Sequence, residues 1–334
     1  MTRIAAGIIW LSAGVVTAAE PASGNRQGAE TGRPADNSWV ALTLDNDVIS
    51  HQDRHYTSGI QVSFPVSRDN LPDALRNSTL INQSAGSDIV AAFGQRIYTP
   101  FNITREIPDP SDRPYAGWLY LLTDLKIQGS DSVDHWVASV GVVGPLSIAH
   151  STQHLIHRVL NQPMPKGWNA QLKNEAALLL GYERSWPAMW RGSAGEHQWD
   201  VSPRVGATVG NVFTYASTGV VARLGHNLPA DLVGTRLSLA PFADSYRGGA
   251  GITSWYVWLG IEGRAIARNI FLDGNSGRDS ARVPRENFGH DMLLGIAATW
   301  QSWTGNATFV RRSKEFSGQA NVDVFGQLTI SFAY

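Results

Sequence analysis

Three histidines stand at i, i+4 and i+7 within residues 150–160 (HSTQHLIHRVL): His150, His154 and His157. Leu155, Ile156, Val159 and Leu160 give the same stretch a helical period, which aligns the imidazoles along one face. Three imidazoles so spaced suit a first-row metal ion, although the glutamate of the helical zinc motif is missing. The same face also suits substrate contact through His157 or His154, or plain solvation. No cysteine is present, which removes disulfides, thiolate metal sites and cysteine nucleophiles together.

Carboxylates and amides form the second group. Asp45-Asn46-Asp47 is followed by Asp53-Arg54-His55-Tyr56-Thr57-Ser58-Gly59. Such oxygen donors are hard ligands suited to calcium, and they are equally the residues of a turn between strands. Glu175 begins a stretch in which Ala176, Leu178, Leu180 and Tyr182 alternate with Ala177 and Gly181. Its carboxylate therefore falls on the polar face, as a general base, a cation ligand or a partner of an arginine.

The elements that must carry these residues have a period of two. From Tyr56 to Val66, apolar positions such as Ile60, Val62 and Phe64 face one way, while Thr57, Gly59, Gln61 and Ser63 face the other. The pattern recurs around Trp136, Ala138, Val140 and Val142, around Trp199, Val201, Val205 and Val209, and around Met292, Leu294, Ile296 and Ala298. About a dozen such stretches follow Val40, joined by segments rich in Gly, Asn, Asp and Pro. Leu328, Ile330, Phe332 and Tyr334 alternate to the last residue, as expected of a closing barrel strand that ends on an aromatic. The helical segment 150–160 is expected to lie across a barrel mouth or against the inner wall.

Composition agrees. Charged residues are 16% of 334 positions, below the roughly 25% usual for soluble domains, while hydrophobic residues are 43% and mean hydropathy is −0.16. Several helical spans of about 20 apolar residues would push that mean positive. One face in lipid and one in water leaves it near zero. A net charge of −1 gives no reason to expect a nucleic acid partner. Arg3, an apolar run over 4–16 and Thr17-Ala18-Ala19 read as a signal peptide over residues 1–19. Residues 20–37 are polar and aperiodic, a flexible lead-in, and 38–334 form an all-β, transmembrane outer-membrane barrel of about 12 antiparallel strands with a short helix near 150–160.

Five segments in order carry a family resemblance: Asn46-Asp47; 53–59; Asp112-Arg113-Pro114-Tyr115-Ala116-Gly117-Trp118; Gly167-Trp168 through Asn174-Glu175; and Arg268-Asn269-Ile270-Phe271-Leu272-Asp273-Gly274-Asn275. Together they resemble the lipid A deacylase family of Gram-negative outer membranes, from about residue 38 onward. The resemblance implies a twelve-stranded barrel that removes the 3′-linked acyloxyacyl group of lipid A by calcium-dependent ester hydrolysis at the outer-leaflet end. It also implies lipopolysaccharide as partner. By position it places the catalytic set on Asn46, Asp47, Thr57 and Glu175, with Asp47 and Glu175 as calcium ligands. The family's histidine position carries Asn169, which cannot take a proton at neutral pH. Water activation then falls to Glu175, to His157 or His154, or to nothing. The alternatives are a family barrel of weakened or absent activity serving a structural or binding role, and a porin.

Overall fold

The computed structural model describes residues 38–46, 55–70, 73, 88–230, 232, 239, 241 and 254–334. The expected signal peptide, the lead-in and Asp47 lie outside the described residues, as do the side chains of residues 55–57. The strands are β1 (Trp39–Asn46), β2 (His55–Pro65), β3 (Asp88–Thr99), β4 (Ala116–Gln128), β5 (Val133–Val143), β6 (Glu175–Ser185), β7 (Trp190–Ala194), β8 (His197–Gly210), β9 (Phe213–His226), β10 (Ser254–Asn269), β11 (Phe288–Trp300), β12 (Trp303–Arg312) and β13 (Asp323–Ala333). Among the described residues two α-helices are delimited between them, α1 (Ala149–Val159) and α2 (Ile270–Asp273).

Consecutive strands pair antiparallel except that β6 passes over β7, and two pairings close the ring. β1 runs against β13 from Trp39↔Ala333 to Asn46↔Gly326, and β6 runs against β8 from Leu179↔Gly210 to Ser185↔Arg204. The ring therefore has the twelve strands expected from sequence, and β7 is a short flap paired only to β8. Exposed aromatic residues Trp136, Trp199, Trp255, Trp300, Trp303 and Tyr334 gather at the end that carries the β1 start and the β13 finish, as an interfacial girdle does. The opposite end carries the connections 100–115, 144–174 and 270–287, while 66–87 and 227–253 leave from the girdle end.

Alternation separates the faces. On β4, Ala116, Trp118, Tyr120 and Leu122 point into the lumen core, while Leu121 is exposed to the outside. On β6, Ala177 and Leu179 are buried and Leu178 and Leu180 exposed. The inner positions hold two kinds of filling. Aromatic rings close the loop-rich end: Phe271 of α2 stacks on Tyr98 at 3.8 Å and packs beside Phe213 at 5.4 Å, with Trp118 6.0 Å from Phe213. Asn269 caps α2 by accepting from the Phe271 N–H, which fixes the plug in place.

Below it runs a ladder of buried ion pairs. Arg204 meets Glu262 at 3.0 Å, Glu262 meets Arg264 at 2.9 Å, Arg264 meets Asp291 at 2.6 Å, and Asp291 meets Arg312 at 2.9 Å. Glu315, in the turn after β12, pairs with Arg113 at 3.0 Å. Burial pushes the Glu315 carboxyl up, but Arg113 and Arg312 outweigh it and hold the group below the usual range. Among the described residues, this end of the lumen is filled by side chains, unlike the open ring of charges that a porin needs.

The helix departs from expectation. It packs neither across the mouth nor on the inner wall but against the outer wall, over β3 and β4. Gly117 lies between the lumen-facing Ala116 and Trp118, so its missing side chain points outward. A Cβ there would stand 2.2 Å from the Ala149 Cβ and 2.2 Å from the Ser147 Oγ. Ile97, Ile103, Tyr115, Ala149 and Trp168 form a separate buried cluster outside the barrel. The sequence shows the helical period but not which wall it meets, because that depends on one glycine's direction in the register.

Removing one charge from the ladder tests it. Asp291→Asn strips Arg264 and Arg312 of a common partner in a site shielded from water, a loss of about 3–5 kcal/mol. The temperature at which the folded band is lost in heat-modifiability electrophoresis should fall clearly. Asp109→Asn, whose pair with Arg105 is exposed, should leave it unchanged.

Candidate functional site

The strand register places a row of residues on the outer face, just below the loop-rich rim. Asn46 of β1 pairs with Ser58 of β2, Ser58 with Ile97 of β3, and Ile97 with Gly117 of β4. Adjacent strands lie about 4.8 Å apart, so the row spans roughly 14 Å. Its parity is outward, since Asp45 faces the lumen, where it accepts from Gln327 Nε2 at 2.8 Å. A bulge at Thr57 shifts the β2–β3 register between Tyr56 and Ser58, so the alternation read through Tyr56–Val66 holds from Ser58 onward. Bulges of this kind re-aim residues next to sites.

A shelf roofs the row's far end. Gln95, on the outward parity of β3, donates to the Ser147 carbonyl at 2.6 Å. Trp168, in the turn Trp168–Ala170, lies 5.0 Å from the Tyr115 ring and donates from Nε1 to Gln153 Oε1 at 2.8 Å. Gly167 passes so close to Tyr115 that a Cβ would lie 2.6 Å from its ring. Tyr115 in turn donates to the Ile103 carbonyl at 3.0 Å. The buried face of α1 is Ala149, Gln153 and His157, one residue per turn.

The three imidazoles do not share one environment. His157 is 5% exposed, and its Nδ1 sits 2.6 Å from the Pro163 carbonyl. A carbonyl only accepts, so Nδ1 carries a proton and donates it there. His150 lies 4.3 Å from His154 and 5.9 Å from Trp168, ring to ring. Burial and then His154 push its imidazole below the ordinary range, which keeps it neutral at pH 7. Asn169 follows Trp168 and is exposed. No group of three or more His, Asp or Glu side chains able to hold a metal occurs among the described residues.

Glu175 stands apart from this row. It shares the lumen parity of Ala177 and Leu179, opposite Val143. Asn211 Nδ2 donates to its Oε1 at 2.8 Å, while Asn275 Nδ2 and the Ser276 N–H donate to Oε2 at 3.1 and 2.7 Å. None of these partners is Asn46, Asn169 or His157. Asn275 also bonds both backbone groups of Lys173, accepting from N–H at 2.9 Å and donating to the carbonyl at 2.8 Å. Glu175 thus staples the 270–287 connection to the start of β6.

This geometry can be set beside that of known proteins. The family described as outer membrane protein LpxR matches residues 8–334. The chain belongs to the LpxR family. Its fold is similar to that of LpxR from Salmonella typhimurium, with a TM-score of 0.70 at 17% identity over 89% of this chain and 100% of that one. Weaker likenesses include the β-domain of the Bordetella autotransporter BrkA (TM-score 0.41, 10% identity, 89% and 99% covered) and the KdgM porin in complex with disordered oligogalacturonate (0.36, 4%, 89% and 99%). No curated protein matches. Family membership makes the chain an outer-membrane protein, with its outer wall in a lipopolysaccharide-bearing membrane.

Ser58 and Gln95 are the site residues that sequence reasoning missed. Gln95 carried a usable signal: a polar residue on the parity of Phe93 and Ile97 requires something other than lipid to cover it. The shelf depends on Gly117, so Gly117→Leu should lift α1 from this LpxR-family barrel. Trypsin added to reconstituted vesicles should then cut after Arg158 faster than in the unsubstituted chain, while the barrel keeps its heat-modifiable band. Equal resistance would contradict the packing described.

Proposed function

We propose that the chain hydrolyses an acyl ester of lipid A, with the 3′-linked acyloxyacyl group as substrate bond, at the shelf on its lipid-facing wall. The observation that supports this reading is the outward row Asn46–Ser58–Ile97–Gly117 ending beneath α1. A lipid ester approaching from the outer leaflet meets polar groups there without entering the lumen.

In this reading His157 Nε2 takes a proton from water. The hydroxide adds to the ester carbonyl carbon, and the acyl carbon–oxygen bond breaks as the sugar oxygen recovers the proton. The products are the freed acyloxyacyl acid and a sugar hydroxyl. Asn46 and Thr57 orient the water or hold the developing oxyanion, and Asp47 supplies carboxylate chemistry beside Asn46. Asn169 offers no basic lone pair, which is why the base is assigned to α1. Glu175 enters as a positioning residue, through the loop it holds.

Calcium is the cofactor that the resemblance implies. The surroundings of Glu175 do not fit a cation: three N–H donors converge on its carboxylate, where a metal site gathers oxygen acceptors. No step is therefore assigned to the ion, and any calcium requirement rests on Asp47 with Asn46. A signal peptide over residues 1–19 belongs to the same proposal, since the wall must reach the outer membrane.

Mass spectrometry of lipid A from cells producing the chain tests the reading. It should show species lighter by one acyloxyacyl unit, and His157→Gln should slow their appearance by about 10²–10⁴-fold. Chelation of calcium should abolish them if Asp47 holds the ion. Unchanged lipid A with a folded barrel would favour the second reading, a family member without hydrolysis, for which Asn169 in the histidine position already speaks.

A further inference from the structure

α1 has two faces, and the mechanism uses one. Opposite the buried line of Ala149, Gln153 and His157 lies an apolar edge of Ile148, Leu155 and Val159, at 58%, 61% and 73% exposure. Leu155 and Val159, four residues apart, share one side of the helix, and Ile148 immediately precedes its first residue. Leu146, in the preceding turn, is 64% exposed as well. A helix on a wet surface has no reason to keep this edge greasy.

Its place in the fold says what covers it. α1 is clamped to the outer wall over β3 and β4, directly above the exposed Phe93 and Leu121 of the lipid-facing band. Gln95, which holds the helix, is two residues from Phe93 along β3, a rise of about 7 Å. On β5 the exposed band of Trp136 and Val140 runs through Leu146 and Ile148 into α1 without a polar break in exposed large side chains. The apolar edge therefore continues the membrane-facing surface.

Charge points the same way. Residues 135–174 contain no Asp or Glu, yet include Arg158, Lys166 and Lys173. Lys173 donates to the Asp279 carbonyl at 3.0 Å. Among the described residues, Arg158 and Lys166 make no ion pair, and both are exposed. The 100–115 connection, which meets Lys166 and Gly167, brings Glu106 and Asp109 to that flank, whereas α1 itself joins an apolar edge to Arg158 with no carboxylate of its own, the pattern of a helix lying in an anionic lipid interface.

We propose that α1 is an interfacial membrane helix: its Ile148, Leu155 and Val159 edge is immersed in the outer leaflet at the boundary of headgroups and acyl chains, and Arg158 and Lys166 engage the anionic headgroups above. This does not depend on ester hydrolysis. It makes the shelf a part of the membrane surface, so a lipid slides along α1 without leaving the leaflet.

The lack of cysteine makes the test direct. Single spin labels are placed at Leu155→Cys, Val159→Cys, Leu178→Cys in the barrel band and the exposed Arg278→Cys in the 270–287 connection, each in the full refolded chain. The chains are inserted in phosphatidylcholine vesicles with or without phosphatidylglycerol. Power saturation with oxygen and with a nickel chelate should give Leu155→Cys and Val159→Cys the oxygen-rich, nickel-poor signature of Leu178→Cys, more strongly with phosphatidylglycerol. Arg158→Gln with Lys166→Gln should erase that lipid dependence. Nickel accessibility equal to that of Arg278→Cys overturns the proposal. So does protection from both reagents with dipolar broadening, which would mean that a second copy covers the edge. Equal immersion in both lipids, unaffected by the double substitution, overturns the headgroup assignment.

Discussion

Within the hydrocarbon layer a backbone N–H or C=O without a partner costs several kcal/mol, so a strand wall is stable there only when its last edge is paired. In this chain that duty falls on β1 against β13, joined at every residue from Trp39↔Ala333 to Asn46↔Gly326. Closure fixes the register, and the register fixes which side chains see lipid and which see the lumen. Asn46 belongs to the outer face because Asp45 is held inside by Gln327. The same parity, carried across three strand pairs, brings Ser58, Ile97 and Gly117 into its row.

The two faces then perform different work. The inside is committed to stability: the Arg204–Glu262–Arg264–Asp291–Arg312 ladder and the Phe271 plug fill it, and Glu175 ties the plug's connection to β6. Such a ladder gains its strength from completeness, since each buried charge depends on its neighbour. The outside carries α1 and the Trp168 turn. A glycine at 117 and another at 167 let Ala149 and Tyr115 approach closely enough to hold α1 and the Trp168 turn on the wall.

The sequence made the barrel legible, because a period of two sustained to Tyr334 has few other solutions, and α1 was legible from its own period. The family motifs were visible as strings, but the structure gives several of them structural duties. Asp112 accepts from the Phe101 N–H, Arg113 pairs with Glu315, Asn269 caps α2, and Asn275 bridges Lys173 to Glu175. What could not be read was the side of the wall on which α1 lies, since that rests on the direction of an absent side chain at Gly117. Nor could the separation of Glu175 from the row of Asn46, because parity within one strand says nothing about partners across the rim. Asp47 and the Thr57 side chain lie outside the described residues, so their convergence on the shelf belongs to the proposal.

The central claim is that lipid reaches the site along the outer wall and not through the lumen. A photoreactive benzoylphenylalanine placed at Ser58, facing out, and separately at Gln61, facing in, distinguishes the two routes in intact outer membranes. The account predicts an ultraviolet-dependent lipopolysaccharide adduct at Ser58 and none at Gln61. An adduct at Gln61, or none at Ser58 in a folded barrel, would contradict it.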